Sequence, residues 1–309
     1  MRYFSVVIST RDRASLLESA IESVIAQDFP RERYEIIVVD NGSRDATRQV
    51  VERYVGKAPV PVVYCYEERA GVSFARNRGA SLAQHEYVAF LDDDAAAVEG
   101  WLSAFDAAIA EHDAVAIGGR VEPVVEAHVR PPTWWDDADI RGLFGLDHGA
   151  AVGGQSVARI RWPLWLGGGN AVYARRLLDE FGCFRTSLGP TGARRRVAED
   201  IDLNVRLELA DVPIHYAHNA VIRHVVTADR LTARYIRRRA YWAGRTDAAA
   251  QALMGRPTNG GSLGRWFSGA LRALRLKGPE RTLASFRVAY SAGYYVQSRL
   301  IDRSDESPP

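Results

Sequence analysis

Apolar residues in this chain fall into short continuous runs separated by amphipathic stretches. Phe4 to Ser9 reads FSVVIS, Tyr34 to Val39 reads YEIIVV, Val60 to Tyr66 is again largely apolar, and Tyr87 to Leu91 reads YVAFL. Runs of this length, rich in β-branched and aromatic residues and apolar on both faces, predict strands buried on both sides. Between them the period changes to that of a helix. Leu16, Leu17, Ala20, Ile21 and Val24 recur at helical spacing, Val50, Val51 and Tyr54 do so after Asp45-Ala46-Thr47, and a third helix is expected through Ala75 to Ala83. Strand and helix alternating in this way predict a mostly parallel central sheet with helices on both faces. The first third of the chain therefore reads as a nucleotide-binding α/β half.

The alternation stops at Gly118 to Leu166, where PPTWWDD at Pro131 to Asp137 and then GLFGLDHGAAVGG concentrate aromatic side chains and glycines. A helix is expected to open at Glu199-Asp200-Ile201-Asp202, and Val221 to Val226 reads as a strand. Gly255 to Gly261 is a linker by composition. Beyond it, Trp266, Phe267, Ala270, Leu271 and Leu274 share one helical face with arginines elsewhere, and Leu283, Phe286, Tyr290 and Tyr294 make a second stripe. A basic amphipathic helix of the first kind can lie in a membrane interface, or it can pack on the rest of the protein. The second stripe is expected to pack, and the terminal SDESPP to be disordered.

With 309 residues, 47% of them hydrophobic, the chain can bury a substantial core. The net charge is +2, but from Arg223 onward there are 16 Lys and Arg against 6 Asp and Glu, leaving 24 against 32 before it. A basic tail of this kind can face anionic lipid. Without a recognisable binding module it does not argue for nucleic acid. Cys65 and Cys183 lack metal-ligand spacing and are expected to be buried free thiols. No run approaches the roughly 18 apolar residues of a membrane span, and Met1-Arg2 leads into the first strand without a signal-peptide pattern. A cytoplasmic protein is expected, with peripheral contact at the inner face of the membrane through the basic C-terminal helix as an option.

The candidate chemistry begins where YVAFL ends, in Asp92, Asp93 and Asp94. Adjacent carboxylates repel and lose solvation, so a strand that carries them to its carboxyl end commonly holds a cation, and hard oxygen ligands suit Mg²⁺ or Mn²⁺. A solvated acidic turn is the competing reading. No GxGxxG follows the first strand and no GxxxxGK[ST] occurs, so the usual phosphate cradles are missing. Asp40 at a strand end can accept from a base or a ribose hydroxyl, or simply close the DNGS turn.

FSVVISTRDR, IIVVDNGSRDAT, GVSFARNRGA, EYVAFLDDDA, GGGNAVYARRLLDEFGCF and AEDIDLNVRL, in this order, resemble the motifs of family 2 glycosyltransferases, the inverting enzymes of the GT-A fold. The resemblance covers about residues 3 to 245 and resembles most the members that assemble polysaccharides or glycolipids. It implies a GT-A catalytic domain over 1–245, with 246–309 as linker, C-terminal helical extension and tail. It further implies a nucleotide-diphosphate sugar donor, a UDP-sugar foremost, a divalent metal, and direct displacement at the anomeric carbon by a hydroxyl acceptor, a lipid-linked one among the options. Matched residue by residue, Thr10, Arg11 and Asp40 take the donor base and ribose positions, and Arg76 takes a basic position near the nucleotide. Asp92 and Asp94 match the pair in which the first meets the ribose and the last holds the metal, with Asp93 secondary. Gly169 and Asn170 match the acceptor-side motif, Trp134 and Trp135 are candidates to stack on the acceptor sugar with core burial as the alternative, and His224 is a candidate metal ligand. Asp200 matches the general base, with Glu199 as the alternative, although helix capping alone would explain both.

Three other readings compete. A non-catalytic nucleotide-sugar-binding protein would keep the metal pair and use Glu199-Asp200 only as a cap. A pyrophosphorylase-like nucleotidyltransferase would need a glycine-rich basic loop after the first strand, and STRDRAS is not one. A nucleic-acid binder would rely on the basic tail alone.

Overall fold

The computed structural model describes residues 1–188, 190–191, 194–195, 199–257 and 275–305. It divides into two compact units, Met1–Pro123 with Gly145–Val225, and Val124–Phe144 with Val226–Pro309.

In the first unit the predicted alternation is present. β1 (Phe4–Thr10), α1 (Ala14–Ile25), β2 (Tyr34–Asp40), α2 (Thr47–Glu52), β3 (Val62–Tyr66), α3 (Val72–Leu82) and β4 (Tyr87–Asp92) follow in order. α1 buries Leu17, Ala20, Ile21 and Val24, the stripe its spacing predicts. α3 lies so close to the sheet that a Cβ on its Gly79 would meet Val7 Cγ1 at 2.2 Å. β2 and β4 both pair with β1 in parallel, in registers that set Thr10 beside Asp40 and Ser9 beside Asp92. Three polar strand ends are thereby gathered at one edge of the sheet, the carboxyl edge at which open α/β sheets bind ligands.

The rest of the unit consists of β5 (Ala95–Ala97), α4 (Trp101–His112), β6 (Ala116–Val125), β7 (Val157–Ile160), β8 (Asn170–Ala174), α6 (Arg175–Phe181), the small pair β9 (Pro190–Thr191) and β10 (Arg194–Arg195), α7 (Glu199–Leu209) and β11 (Ile214–Val226); α5 (Ala138–Arg141) belongs to the second unit. The nine-stranded sheet runs β3-β2-β1-β4-β8-β6-β11-β5, with β7 also on β11. The parallel part is β3 to β4. β8 is antiparallel to both β4 and β6, and β11 is antiparallel to β5 and β7. The mixed sheet with flanking helices is the GT-A fold expected. Its antiparallel half is the part that the apolar runs leave undirected.

The second unit contains α5, α8 (Ala233–Leu253) and α9 (Gly278–Asp305). The backbones of α8 and α9 touch at two glycines: a Cβ on Gly244 would meet Tyr290 O at 2.1 Å, and one on Gly293 would meet Tyr241 O at 1.8 Å. Tyr290 and Tyr294 of α9 donate their hydroxyls to Asp247 and Gln251 of α8. The predicted second stripe therefore packs, as expected. The boundary expected at residue 245 falls inside α8, because that helix runs unbroken through it and shares its apolar cluster with residues before 145. The first tail stripe, Trp266 to Leu274, lies outside the described residues. Among the described residues no helix is long and apolar enough to cross a membrane.

Candidate active site

The site begins at the carboxyl ends of the parallel strands. Asp40, the last residue of β2, is buried; its Oδ1 accepts the N–H of Ser43 at 2.8 Å and its Oδ2 accepts the hydroxyl of Tyr64 at 2.9 Å. Partial burial and the neighbouring Asp40 carboxylate push the Tyr64 phenol up to about 12, so it remains a donor to Asp40 at neutral pH. These residues line an open cleft of about 550 Å³ together with Arg44, Asp45, Arg48, Gln49 and Tyr66. Thr10 is buried next to Asp40, and Arg11 is exposed, 3.7 Å from Asp12. Asp12 adopts φ 52°, accepts the N–H of Arg44 and donates its own to Ser43 Oγ, which ties the turn after β1 to the turn after β2.

The three aspartates at the end of β4 have separate surroundings. Asp92 is 44% exposed at its side chain, whereas Asp93 and Asp94 are buried. Arg13 serves the buried two: its Nη1 donates to Asp93 Oδ1 at 2.7 Å and to Asp94 Oδ2 at 2.8 Å. Burial disfavours charge on Arg13, yet the two carboxylates outweigh it and hold the guanidinium above its ordinary value. Burial raises the Asp93 carboxyl, with Arg13 opposing and Asp94 reinforcing the rise. On the other side of Asp94, His224 Nε2 lies 3.5 Å from Oδ1, brought there by the antiparallel pairing of His224 with Ala95.

Arg76 on α3 connects this group to α7. It is buried, and its guanidinium donates to Asp92 Oδ1 and to Glu199 Oε1, each at 3.0 Å. Burial again disfavours the charge and the surrounding carboxylates, Asp92, Glu199 and Asp200, restore it. Asp200 sits next to Glu199 in the first turn of α7, and its Oδ2 accepts the N–H of Gly168 at 3.0 Å. The glycines before β8 are dictated by this arrangement. A Cβ on Gly168 would meet Arg76 Nη1 at 2.6 Å, and one on Gly169 would meet Asp92 Oδ2 at 2.1 Å. Gly169→Ala should therefore push Asp92 off Arg76 at a cost of about 1–3 kcal/mol, the usual range for overpacking. A lowered melting temperature together with weaker nucleoside diphosphate binding is the expected result; an alanine variant equal to the parent in both would contradict it.

The structure brings together Thr10, Asp40, Arg76, Asp92, Asp94, Gly169, Glu199, Asp200 and His224 on the elements just described. It gives other places to the rest of the acceptor candidates. Asn170 is fully buried: its Oδ1 accepts from Trp101 Nε1 at 2.8 Å and its Nδ2 donates to Arg120 O at 2.9 Å and Ala220 O at 3.0 Å. With every polar atom spent on tying β8 to α4, β6 and β11, it has none to offer an acceptor. Trp134 and Trp135 are 7% and 6% exposed in the apolar cluster of the second unit with Ile140, Phe144, Ile236 and Phe286, which is the core outcome rather than a stacking face. Arg13 and Tyr64, which contact Asp93, Asp94 and Asp40, are candidate site residues that the sequence reading did not select. For Arg13 the available signal was a basic residue in the turn facing the acidic triplet across adjacent strands.

Residues 5–158 match the family described as Glycosyl transferase family 2. The chain is 28% identical over 244 residues to the glucosyl-dolichyl phosphate glucuronosyltransferase of Haloferax volcanii, covering 78% of this chain and 74% of that protein. Among solved structures it is similar to a mannosyltransferase from Pyrobaculum calidifontis in complex with GDP-Man and Mn²⁺, with a TM-score of 0.63, 20% identity, and coverage of 99% of this chain and 88% of the other. It is also similar to residues 1–349 of S. aureus TarS in complex with UDP, with a TM-score of 0.57, 18% identity, and coverage of 98% and 92%.

Proposed function

The chain belongs to glycosyl transferase family 2, and on that premise we propose that it transfers a sugar, with inversion, from a nucleoside diphosphate to a hydroxyl acceptor in polysaccharide or glycolipid assembly. The observation that carries this reading is the chain of contacts from Asp92 through Arg76 to Glu199, which ties the acidic strand end to the helix bearing Asp200. The nucleotide-sugar donor is supported by the two structural relatives, in complex with GDP-Man and with UDP.

In this reading Asp40, Thr10 and Arg11 receive the base and ribose, and half-exposed Asp92 meets the ribose. Asp94 and His224, with Asp92, would hold Mg²⁺ or Mn²⁺. Carboxylate oxygens and an imidazole nitrogen are a fitting donor set for such ions. Among the described residues no group of three or more His, Cys, Asp and Glu is placed so that it could hold a metal ion by itself. An ion here would therefore need the phosphates of the donor to complete its shell, as Mg²⁺ commonly does when it is bound through one or two carboxylates. When bound, the ion would supply positive charge to the leaving diphosphate. Asp200 takes the proton from the acceptor hydroxyl as that oxygen attacks.

Calorimetric titration with UDP and GDP, with and without Mn²⁺, tests the donor side. One of them should bind at least about tenfold more tightly with Mn²⁺, each factor of ten being about 1.4 kcal/mol, and Asp94→Asn should remove that gain while the melting temperature records any loosening of Arg13. Binding indifferent to metal in the parent would overturn the assignment of Asp94. Absence of binding by any nucleoside diphosphate would overturn the donor class.

A further inference from the structure

A row of side chains on α7 fastens the loop that leads into the glycines. The N–H of Gly168 donates to Asp200 Oδ2 at 3.0 Å, that of Leu166 to Asn204 Oδ1 at 3.1 Å, and that of Trp162 to Glu208 Oε2 at 2.8 Å. Asp200, Asn204 and Glu208 are spaced four apart and therefore stand in one row on the helix. Asn204 also donates from Nδ2 back to Leu166 O at 3.3 Å. Neighbours in this row are about 6 Å apart along the axis. Trp165, adjacent in sequence to fastened Leu166, is thus tied to α7 about one helical turn from Asp200.

The loop displays two indoles. Trp162 and Trp165 stack with ring centroids 5.6 Å apart and planes 25° from parallel. Both are only partly buried, and so is Leu164 between them, whereas Trp101, Tyr173 and Tyr216 of the same unit are fully buried. His148 backs Trp165, its ring edge-on at 6.5 Å and its Nε2 2.9 Å from Trp165 O. The pair is apolar, partly open to solvent and held in place by hydrogen bonds to the helix that carries Asp200.

We propose that Trp162 and Trp165 form an acceptor subsite that stacks on a pyranose ring of the acceptor, close along the chain from the hydroxyl presented to Asp200. The C–H face of a pyranose matches an indole, while its hydroxyls stay outward in water, as they do where aromatic groups are apolar at one end and wet at the other. The subsite rests on the reading of Asp200 as base. It takes the role that the sequence assigned to Trp134 and Trp135. The acceptor class it implies is one with more than one sugar residue, or a sugar carried on a lipid, rather than a small alcohol.

The test is calorimetry on the full chain with the tetrasaccharides of glucose, galactose, mannose and N-acetylglucosamine, in the presence of UDP and Mn²⁺. One of them should bind the parent. Its affinity should fall about tenfold or more in Trp162→Ala and in Trp165→Ala, the size of a lost aromatic stack, and recover in large part in Trp165→Phe. UDP affinity in the same variants should move far less. No tetrasaccharide bound by the parent, or binding indifferent to both alanines, overturns the subsite. So does an equal loss of sugar and UDP binding with a lowered melting temperature, which would make the pair plain loop packing. Failure of the family-level reading is distinguishable, since it appears as a parent that binds no nucleoside diphosphate at all.

Discussion

Asp200→Asn should slow sugar transfer about 10²- to 10⁴-fold, the usual contribution of a positioned base, and leave nucleoside diphosphate binding close to that of the parent. The substitution is nearly isosteric. An amide oxygen can still accept the N–H of Gly168, the 3.0 Å bond that seats the glycine turn, so the loop and the Arg76 contacts stay in place. What is lost is the ability to take a proton, together with the second acceptor, Oδ1, which receives the N–H of Ile201 at 2.9 Å. Glu199 is a poor substitute, because its carboxylate is buried and already accepts from Arg76 at 3.0 Å. Glu199→Gln should therefore act mainly through stability. Transfer assayed with the same donor for both variants separates the roles: near-parental activity in Asp200→Asn, with a large loss in a folded Glu199→Gln, would move the base to Glu199.

The strands that carry the donor side are legible in sequence because each is a run apolar on both faces, a pattern few other structures tolerate. In the structure three of the four runs extend by one residue, to Thr10, Asp40 and Asp92, so the ladder continues into the polar residue where hydropathy stops, whereas β3 ends with its run at Tyr66. Those added residues are candidate site residues. Hydropathy alone therefore ends these three strands one position short of their polar ends. The antiparallel half is less legible, since an apolar run does not state its direction and β11 begins at Ile214, well before the run at Val221. Among aromatic residues the sequence reading singles out the adjacent pair Trp134 and Trp135, with core burial as the alternative, and does not single out Trp162 and Trp165. Hydropathy treats the four alike, and only packing separates a core indole from a half-exposed one. Asn170 shows the same limit in a polar residue. Its place in a GGGN run suggests ligand contact, but the amide is consumed by three hydrogen bonds, to α4, β6 and β11.

Arg76→Met should cost more stability than any other single change in the site, about 3–5 kcal/mol, as for removing one partner of a buried ion pair. Most of that cost comes from one side. Asp92 is 44% exposed and can turn to water, whereas the side chain of Glu199, at 8%, would keep its charge in the interior without Arg76. Arg76→Lys should be milder in stability but still damaging to transfer, because a single ammonium cannot reproduce the planar fork that reaches Asp92 and Glu199 together. The double variant Arg76→Met with Glu199→Gln separates packing from function. Removing both charges should recover much of the lost stability, since no uncompensated ion is then buried, and the two effects should be strongly non-additive in denaturant titration. Transfer should stay low in the double variant, because nothing then holds Asp92 in register with the helix that carries Asp200. If activity returned along with stability, Arg76 would be a filler of the interior, and the link between the acidic strand end and α7 would not matter to the reaction.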